Sequence, residues 1–273
     1  MPSPLEQLAI RLDPSLLMER LGLEPDPWQR AVLRSTAYRL LLLCCRQSGK
    51  STTTAILALN TALFYAGSLI LLLSPSLRQS GELFRKLTGF YADLGKPIPP
   101  ERETALSLTL ANGSRVISLP ASPDTIRGYS AVNLLVIDEA AIVPDELFVA
   151  VNPMLAVSQG RLVCLSTPLG KRGWFFDAWS DPLADWERVK VTAEHCPRIA
   201  PEFLEGQKTT LGDRWYKQEY LCSFEETIDQ VFSTESVLAA FSSTKHPLFE
   251  PSDATPAAPD ILSSKAPLYG RGG

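Results

Sequence analysis

Apolar residues along this chain fall into short unbroken runs separated by segments of helical spacing. Residues 39–45 (RLLLLCC) and 68–74 (SLILLLS) are nearly continuous apolar stretches, as parallel strands buried on both faces require. NLLVID at 133–138 and RLVCLST at 161–167 repeat the pattern. Helical periodicity predicts helices over 50–66 and 76–95, near 145–152 and near 173–180. Residues 187–192 read as one more strand, and 201–222 as two helices split at Gly212-Asp213. In 105–119 two β-rich runs flank Asn112-Gly113, which predicts a hairpin inserted at one edge of the sheet. Residues 4–22 predict one amphipathic helix with Leu5, Leu8, Leu12, Leu16 and Leu17 on its apolar side. Asp26-Pro27 opens another over 27–36. Alternating strands and helices make this an α/β chain: a mostly parallel sheet with helices on both faces. From 233 the chain reads as a linker. Beyond about 242, rich in Pro, Ser and Ala, it reads as a disordered tail.

The chain has 273 residues, 45% of them hydrophobic, enough for one sizeable core, or for a core domain plus a small appendage. Net charge is −4. A protein that wraps nucleic acid tightly is usually basic, so any DNA contact is expected to be local and transient. No run of ~18 apolar residues predicts a membrane helix. The N-terminus carries an early acid and lacks the apolar segment of a signal peptide. Five cysteines without CxxC spacing and two histidines argue against zinc. Cys44, Cys45 and Cys164 are expected in core strands, and Cys196 and Cys222 to be isolated, in a reducing cytoplasm.

The chemistry starts where the first strand ends. Leu40 to Ser51 reads LLLLCCRQSGKS and runs into TTTAILALNTALFYAG. Strand, tight loop, Gly-Lys-Ser and helix form a phosphate cradle of loop N–H groups and a positive helix end. Gln47, Ser48, Gly49, Lys50, Ser51 and Thr52 would line it. Gly49 allows close backbone approach, Lys50 reaches the β- and γ-phosphates, and Ser51 ligates Mg²⁺. The pattern GxxxxGK[ST] wants Gly where this chain has Cys44, so the loop alone also fits an ordinary turn after a buried strand. NLLVIDEAA adds a second element. Asp138 at the strand end would hold the metal, and Glu139 would polarise a water for attack on the γ-phosphate. A Glu directly after the Asp points to ATPases with a catalytic glutamate. The strand ending in Ser166 and Thr167 should lie between these two. Its tip either senses the γ-phosphate or is a plain turn.

With these segments in view, CCRQSGKST, TIRGYSAVNLLVIDEAA, LVCLSTPLGKRGWFFDAW and WYKQEYLCSF resemble the large terminase subunit of tailed bacteriophages, over roughly Leu23 to Phe232. In that family the first loop Gly is often replaced. The resemblance implies a P-loop NTPase of the ASCE, RecA-like class that uses ATP and Mg²⁺. It would pump double-stranded DNA into a procapsid, as a homo-oligomeric ring on the portal protein, with a small terminase subunit. It would work in the host bacterial cytoplasm, off the membrane. The implied organisation is N-terminal helices to residue 36, an ATPase core over 37–232 with a helical subdomain from about 195, then the tail. Trp28 and Gln29 become an adenine-contacting motif. Arg46 becomes the loop arginine linked to γ-phosphate sensing or transition-state charge. Arg127 is either a finger acting in trans or a buttress of the turn before the acidic strand. Two other readings remain: a superfamily 2 helicase-like translocase, which needs a second RecA-like domain, and a non-catalytic remnant that binds nucleotide or docks on the portal.

Lys171 and Arg172 are candidates for DNA backbone contact or γ-phosphate coupling, or are simply solvated. Trp174, Phe175, Phe176 and Trp179, like Trp215, Tyr216 and Tyr220, are expected in the core. Glu194, His195 and Cys196 lack the partners of a nucleophilic site. Large terminases usually continue into a nuclease. After Phe232 this chain offers only Glu235, Glu250, Asp253 and Asp260 among prolines, so it is not expected to cut DNA.

Overall fold

A computed structural model of the chain describes residues 3–226 and, beyond them, Ala240. The expectations for 233–273, including the four late acids, lie outside the described residues. The fold is that of the compact unit Met1–Asp229.

Eight strands form one sheet: β1 (Arg39–Cys44), β2 (Leu69–Ser74), β3 (Pro100–Glu103), β4 (Ser107–Leu110), β5 (Arg115–Pro120), β6 (Leu134–Asp138), β7 (Arg161–Ser166) and β8 (Glu187–Val191). Their order is β3-β4-β5-β2-β6-β7-β1-β8. All pairings from β5 to β8 are parallel, and those of β3 and β4 are antiparallel. Leu40 to Leu43, Ile70 to Leu73, Leu134 to Ile137 and Leu162 to Leu165 are all buried, which is why each reads as an unbroken apolar run. β7 lies between β1 and β6, as expected.

Ten helices flank the sheet in the described residues: α1 (Pro4–Leu12), α2 (Ser15–Arg20), α3 (Pro27–Arg34), α4 (Lys50–Phe64), α5 (Leu77–Asp93), α6 (Pro123–Ile126), α7 (Asp145–Ala156), α8 (Gly173–Ser180), α9 (Pro201–Leu211) and α10 (Asp213–Leu221). α1, α2 and α3 all pack on α4.

Expectations for the N-terminal segment and for Trp215 need correcting. Residues 4–22 are two helices, broken at Asp13, which is extended at φ −128°, ψ 91°. Pro14 disfavours helical backbone in the residue before it. The expected apolar side holds in α2, where Leu17 is buried and Leu16 packs against the core, but not in α1. Leu5, Leu8 and Leu12 are 77%, 50% and 71% exposed, and Ile10 is the buried residue of α1. The Ile10 carbonyl accepts a 2.8 Å bond from Asn60 Nδ2 of α4, which sets the docked face.

The hairpin turns at Asn112-Gly113, with Gly113 at φ +83°, at one edge of the sheet as expected, and its second arm also joins the parallel part. β5 pairs in parallel with β2 from Leu69↔Arg115 to Ser74↔Pro120, so it belongs to the main sheet. β4 then extends the edge, joined by β3, whose sequence PERE is too polar to read as a strand. Finally, Trp215 is 44% exposed, because α10 docks through Gln218 and Tyr220.

Gly160, before β7, marks the tightest backbone approach. A Cβ there would sit 1.9 Å from the Val132 carbonyl oxygen. Gly160→Ala should therefore destabilise the protein by about 3 kcal/mol, because backbone must move to relieve the clash. At Gly89, in α5, an added Cβ would meet nothing within 4 Å. Gly89→Ala should stabilise by roughly 0.5–1 kcal/mol through reduced freedom of the unfolded chain. Denaturant titration of both variants checks the pair, and a neutral Gly160→Ala contradicts this packing.

Candidate nucleotide site

The sheet register brings the site together. Leu43 of β1 pairs with Ser166 of β7, and Asp138 of β6 pairs with Leu165. The phosphate loop, Ser166-Thr167 and Asp138-Glu139 thus leave the C-terminal ends of three adjacent parallel strands, where open α/β sheets bind ligands.

Residues 45–49 form the loop. Gln47 (φ 59°) and Gly49 (φ 92°) are left-handed, which tightens it before Lys50 starts α4. That helix is 15 residues long with no acid in its first turn, so its positive end is open to an anion. Lys50 Nζ donates a 2.6 Å hydrogen bond to Glu139 Oε1, and both side chains are mostly buried. Glu139 itself is left-handed at φ 52°, ψ 43°. Burial lowers the pKa of Lys50, but the charges of Glu139 and Asp138 outweigh it and hold the ammonium above its ordinary value. Burial raises Asp138 from 3.8 to about 6, against the opposing pull of Lys50. Asp138 Oδ1 accepts a 3.0 Å bond from the Glu139 N–H.

A hard-oxygen donor set for Mg²⁺ is present. Asp138 is a buried carboxylate short of positive charge, and Ser51 opens α4 beside Lys50. Mg²⁺ typically takes one or two protein oxygens and completes its shell with water and substrate phosphates. Asp138 and Ser51 could serve as protein ligands of that kind, and no three His, Cys, Asp or Glu come together among the described residues.

The other sequence candidates divide. Ser166 is fully buried at the end of β7 with a hydroxyl that has no partner, and Thr167 follows it half-buried. Ser48 has a buried, unpartnered hydroxyl too. Thr52 Oγ1 accepts from Lys86 Nζ at 3.3 Å. Arg46 does not turn into the loop: its guanidinium pairs with Glu219 of α10, and its N–H bonds the Glu219 carbonyl at 3.1 Å. Arg127 caps α6, is exposed, and its side chain has no hydrogen bond or ion pair among the described residues. Trp28 is buried in the core. Gln29 is buried as well, with Oε1 accepting from the Asp26 N–H at 2.9 Å and Nε2 donating to Thr53 Oγ1 at 3.0 Å. Lys171 lies 3.8 Å from Glu226, and Arg172 is exposed. Trp174 is core, stacked on Phe148 at 4.4 Å. His195 Nδ1 accepts from the Thr192 N–H at 3.1 Å, a local cap.

Three groups went unread in the sequence. Arg198 makes a forked pair with Asp26, at 2.8 and 2.6 Å, and donates to the Ser48 carbonyl at 3.0 Å. Lys86 reaches the start of α4 from α5. Cys196 is not isolated: its sulfur lies 3.9 Å from that of Cys45. All three depend on which strands and helices become neighbours, and no local motif announces them. Beside Gly49, Gln29, Thr52 and Arg198 opens a cavity of about 540 Å³.

This geometry has close counterparts. The large terminase subunit of Thermus phage G20c is 28% identical over 261 residues, spanning 82% of this chain and 53% of that protein. That of Escherichia phage T5 is 25% identical, with the same coverage of each. The chain therefore spans about half the length of the curated relatives it matches. The solved ATPase domain of the Thermus phage P74-26 large terminase superposes with a TM-score of 0.67 at 25% identity, over 78% of this chain and 100% of that one. The family described as terminase large subunit, T4likevirus-type, N-terminal, matches residues 41–238, from the strand feeding the phosphate loop to beyond α10, and to that family the chain belongs.

Proposed function

We propose that this chain binds Mg·ATP, hydrolyses it through Glu139, and couples hydrolysis to translocation of double-stranded DNA into a phage procapsid. The observation that carries the reading is the Lys50–Glu139 pair beside Asp138, at the C-terminal edge of the parallel sheet. ATP phosphates docking on the loop offer Lys50 a stronger anion than one carboxylate, so Lys50 leaves Glu139 for the phosphates. Glu139, released, is free to accept a hydrogen bond from the attacking water and orient it. Asp138 and Ser51 would hold Mg²⁺, which supplies charge neutralisation at the phosphates. Ser166 and Thr167 stand beside β1 and are placed to couple phosphate state to the sheet. The large-terminase relatives support the packaging role, with a ring of subunits, a portal protein and a small subunit as partners in the host cytoplasm. No helix among the described residues is long and apolar enough to cross a membrane. The same reading divides the chain into N-terminal helices to residue 36, a core from 37 and a helical subdomain from about 195.

Glu139→Gln should lower ATP turnover by about 100-fold or more while ATP still binds. Measuring ATPase rate and nucleotide affinity, with and without DNA, tests the assignment. A variant retaining more than about a tenth of wild-type turnover would falsify it.

The raised pKa of Asp138 sets a pH dependence. Below about 6 its carboxyl is protonated and no longer a metal ligand. Magnesium-dependent ATP affinity should then fall as pH drops through that value, by about tenfold per unit. An ordinary carboxylate would hold on to about pH 4. Asp138→Asn should bind weakly with a flat profile, and a wild-type profile that is flat from pH 7 to 5 counts against the site.

Exposed and unpaired, Arg127 is assigned to a neighbouring subunit's ATP. Arg127→Ala should spare ATP binding by the isolated subunit and impair hydrolysis in the assembled ring. Mixing Arg127→Ala with Glu139→Gln subunits should restore part of the activity, and no recovery at any ratio favours a purely structural arginine.

A further inference from the structure

Arg198 stands seven residues beyond β8, in the turn closed by the Ile199 N–H on the Cys196 carbonyl at 2.9 Å. Its guanidinium does two things at once. It forks onto Asp26, the residue that caps α3, and it holds the carbonyl oxygen of Ser48. A trans peptide carries its C=O and N–H on opposite sides. Holding the Ser48 carbonyl on Arg198 therefore aims the Gly49 N–H away from the guanidinium. Gly49, at φ +92°, is the loop residue best able to let that peptide flip, because glycine tolerates both signs of φ. A flipped peptide would present a carbonyl oxygen to a phosphate where a donor is needed. The second support is Gln29, whose Nε2 lies 2.9 Å from where a Cβ on Gly49 would be. Gln29 packs on the same side of Gly49 as Arg198, whose Nη2 lies 3.2 Å from that position, and among the described residues Arg198 is the group that holds the Ser48 carbonyl.

Resting on the nucleotide-site reading above, we propose that Arg198 is a positioning residue for triphosphate binding: it locks the Ser48–Gly49 peptide with its N–H available to the phosphates. The fork to Asp26 keeps the guanidinium in place. Its side chain is 49% exposed while that of Asp26 is 9% exposed, so the carboxylate is the fixed anchor and the arginine is the movable arm. Because the action is on the loop, the residue serves the phosphates and not the base.

The test is titration of wild type, Arg198→Ala and Arg198→Lys with Mg·ATP and with inorganic triphosphate, alongside steady-state ATPase kinetics and thermal melting. Arg198→Ala should weaken both ligands by the same factor, about tenfold, the effect of removing one charge-assisted hydrogen bond. KM should rise with it while kcat stays within about twofold, the pattern expected when ground state and transition state are bound less tightly by the same amount. Lysine can reach one partner but cannot fork, so Arg198→Lys should melt like wild type and show an intermediate loss of affinity. Should Arg198→Ala not fold, the lysine variant carries the test alone. Unchanged affinity, or a loss confined to ATP that spares inorganic triphosphate, overturns the proposal. Wild-type protein that binds neither ligand would instead remove the nucleotide-site reading beneath it.

Discussion

Everything at this site turns on three charges at the ends of buried strands. Lys50, Asp138 and Glu139 lie where the sheet has excluded water, and each is tolerable there only because of the others. Asp138 alone would be a buried anion, and its pKa near 6 records that cost. Lys50 offsets it and is itself held charged by both carboxylates. Breaking such a buried pair by removing one partner costs about 3–5 kcal/mol, since the survivor is left uncompensated. Without nucleotide the cluster is closed on itself, with the lysine occupying the glutamate. In the proposed reading phosphate is the better partner for the lysine, so nucleotide binding and release of the glutamate would be one event. The parallel register of β6, β7 and β1 sets the spacing, and the fully apolar strands keep the cluster dry.

What could be read from the sequence follows from what is local. Parallel strands are buried on both faces, so they appear as apolar runs, and all but the short polar β3 of the sheet's strands were visible. Lys50, Ser51, Asp138 and Glu139 sit within a few residues of their strand ends, so strand order alone assembles them. The N-terminal segment misled in its first half: Leu17 is buried as its spacing suggests, but Leu5, Leu8 and Leu12 are exposed, and α1 meets the interior through Ile10 and the Asn60 amide. Pro14 was visible and was the signal that one helix could not run through. Arg46 shows the other limit. Its position in the loop points to phosphate, and the fold also sets a carboxylate of α10 against it. A side chain goes to the partner that folding brings within reach, and a motif does not say who that is.

The placement of β8 beside β1 has a wider consequence. The chain after β8 folds back along the outer side of the phosphate loop and holds it at successive residues. Val191 accepts from the Cys45 N–H at 2.8 Å, Glu219 takes both the N–H and the side chain of Arg46, and Arg198 holds the Ser48 carbonyl. Cys45 and Cys196 meet between these contacts. Three of the five loop residues are therefore tied to one later stretch of chain, residues 191–219. The strands beneath the loop are fully buried and cannot shift cheaply. The α9–α10 pair is different: α9 buries no residue, and α10 buries only Gln218 and Tyr220. A rearrangement of the loop on binding or losing a phosphate must be absorbed somewhere. Of the three ties, those of Val191 and Arg198 end in a segment whose Val191, Ala193, Cys196 and Ile199 are buried, and only that of Arg46 reaches the less buried helical pair, at Glu219. In the proposed reading, a movement of the loop at the phosphates would reach the α9–α10 pair through the Arg46–Glu219 tie, while Val191 and Arg198 hold the loop to the segment that precedes those helices.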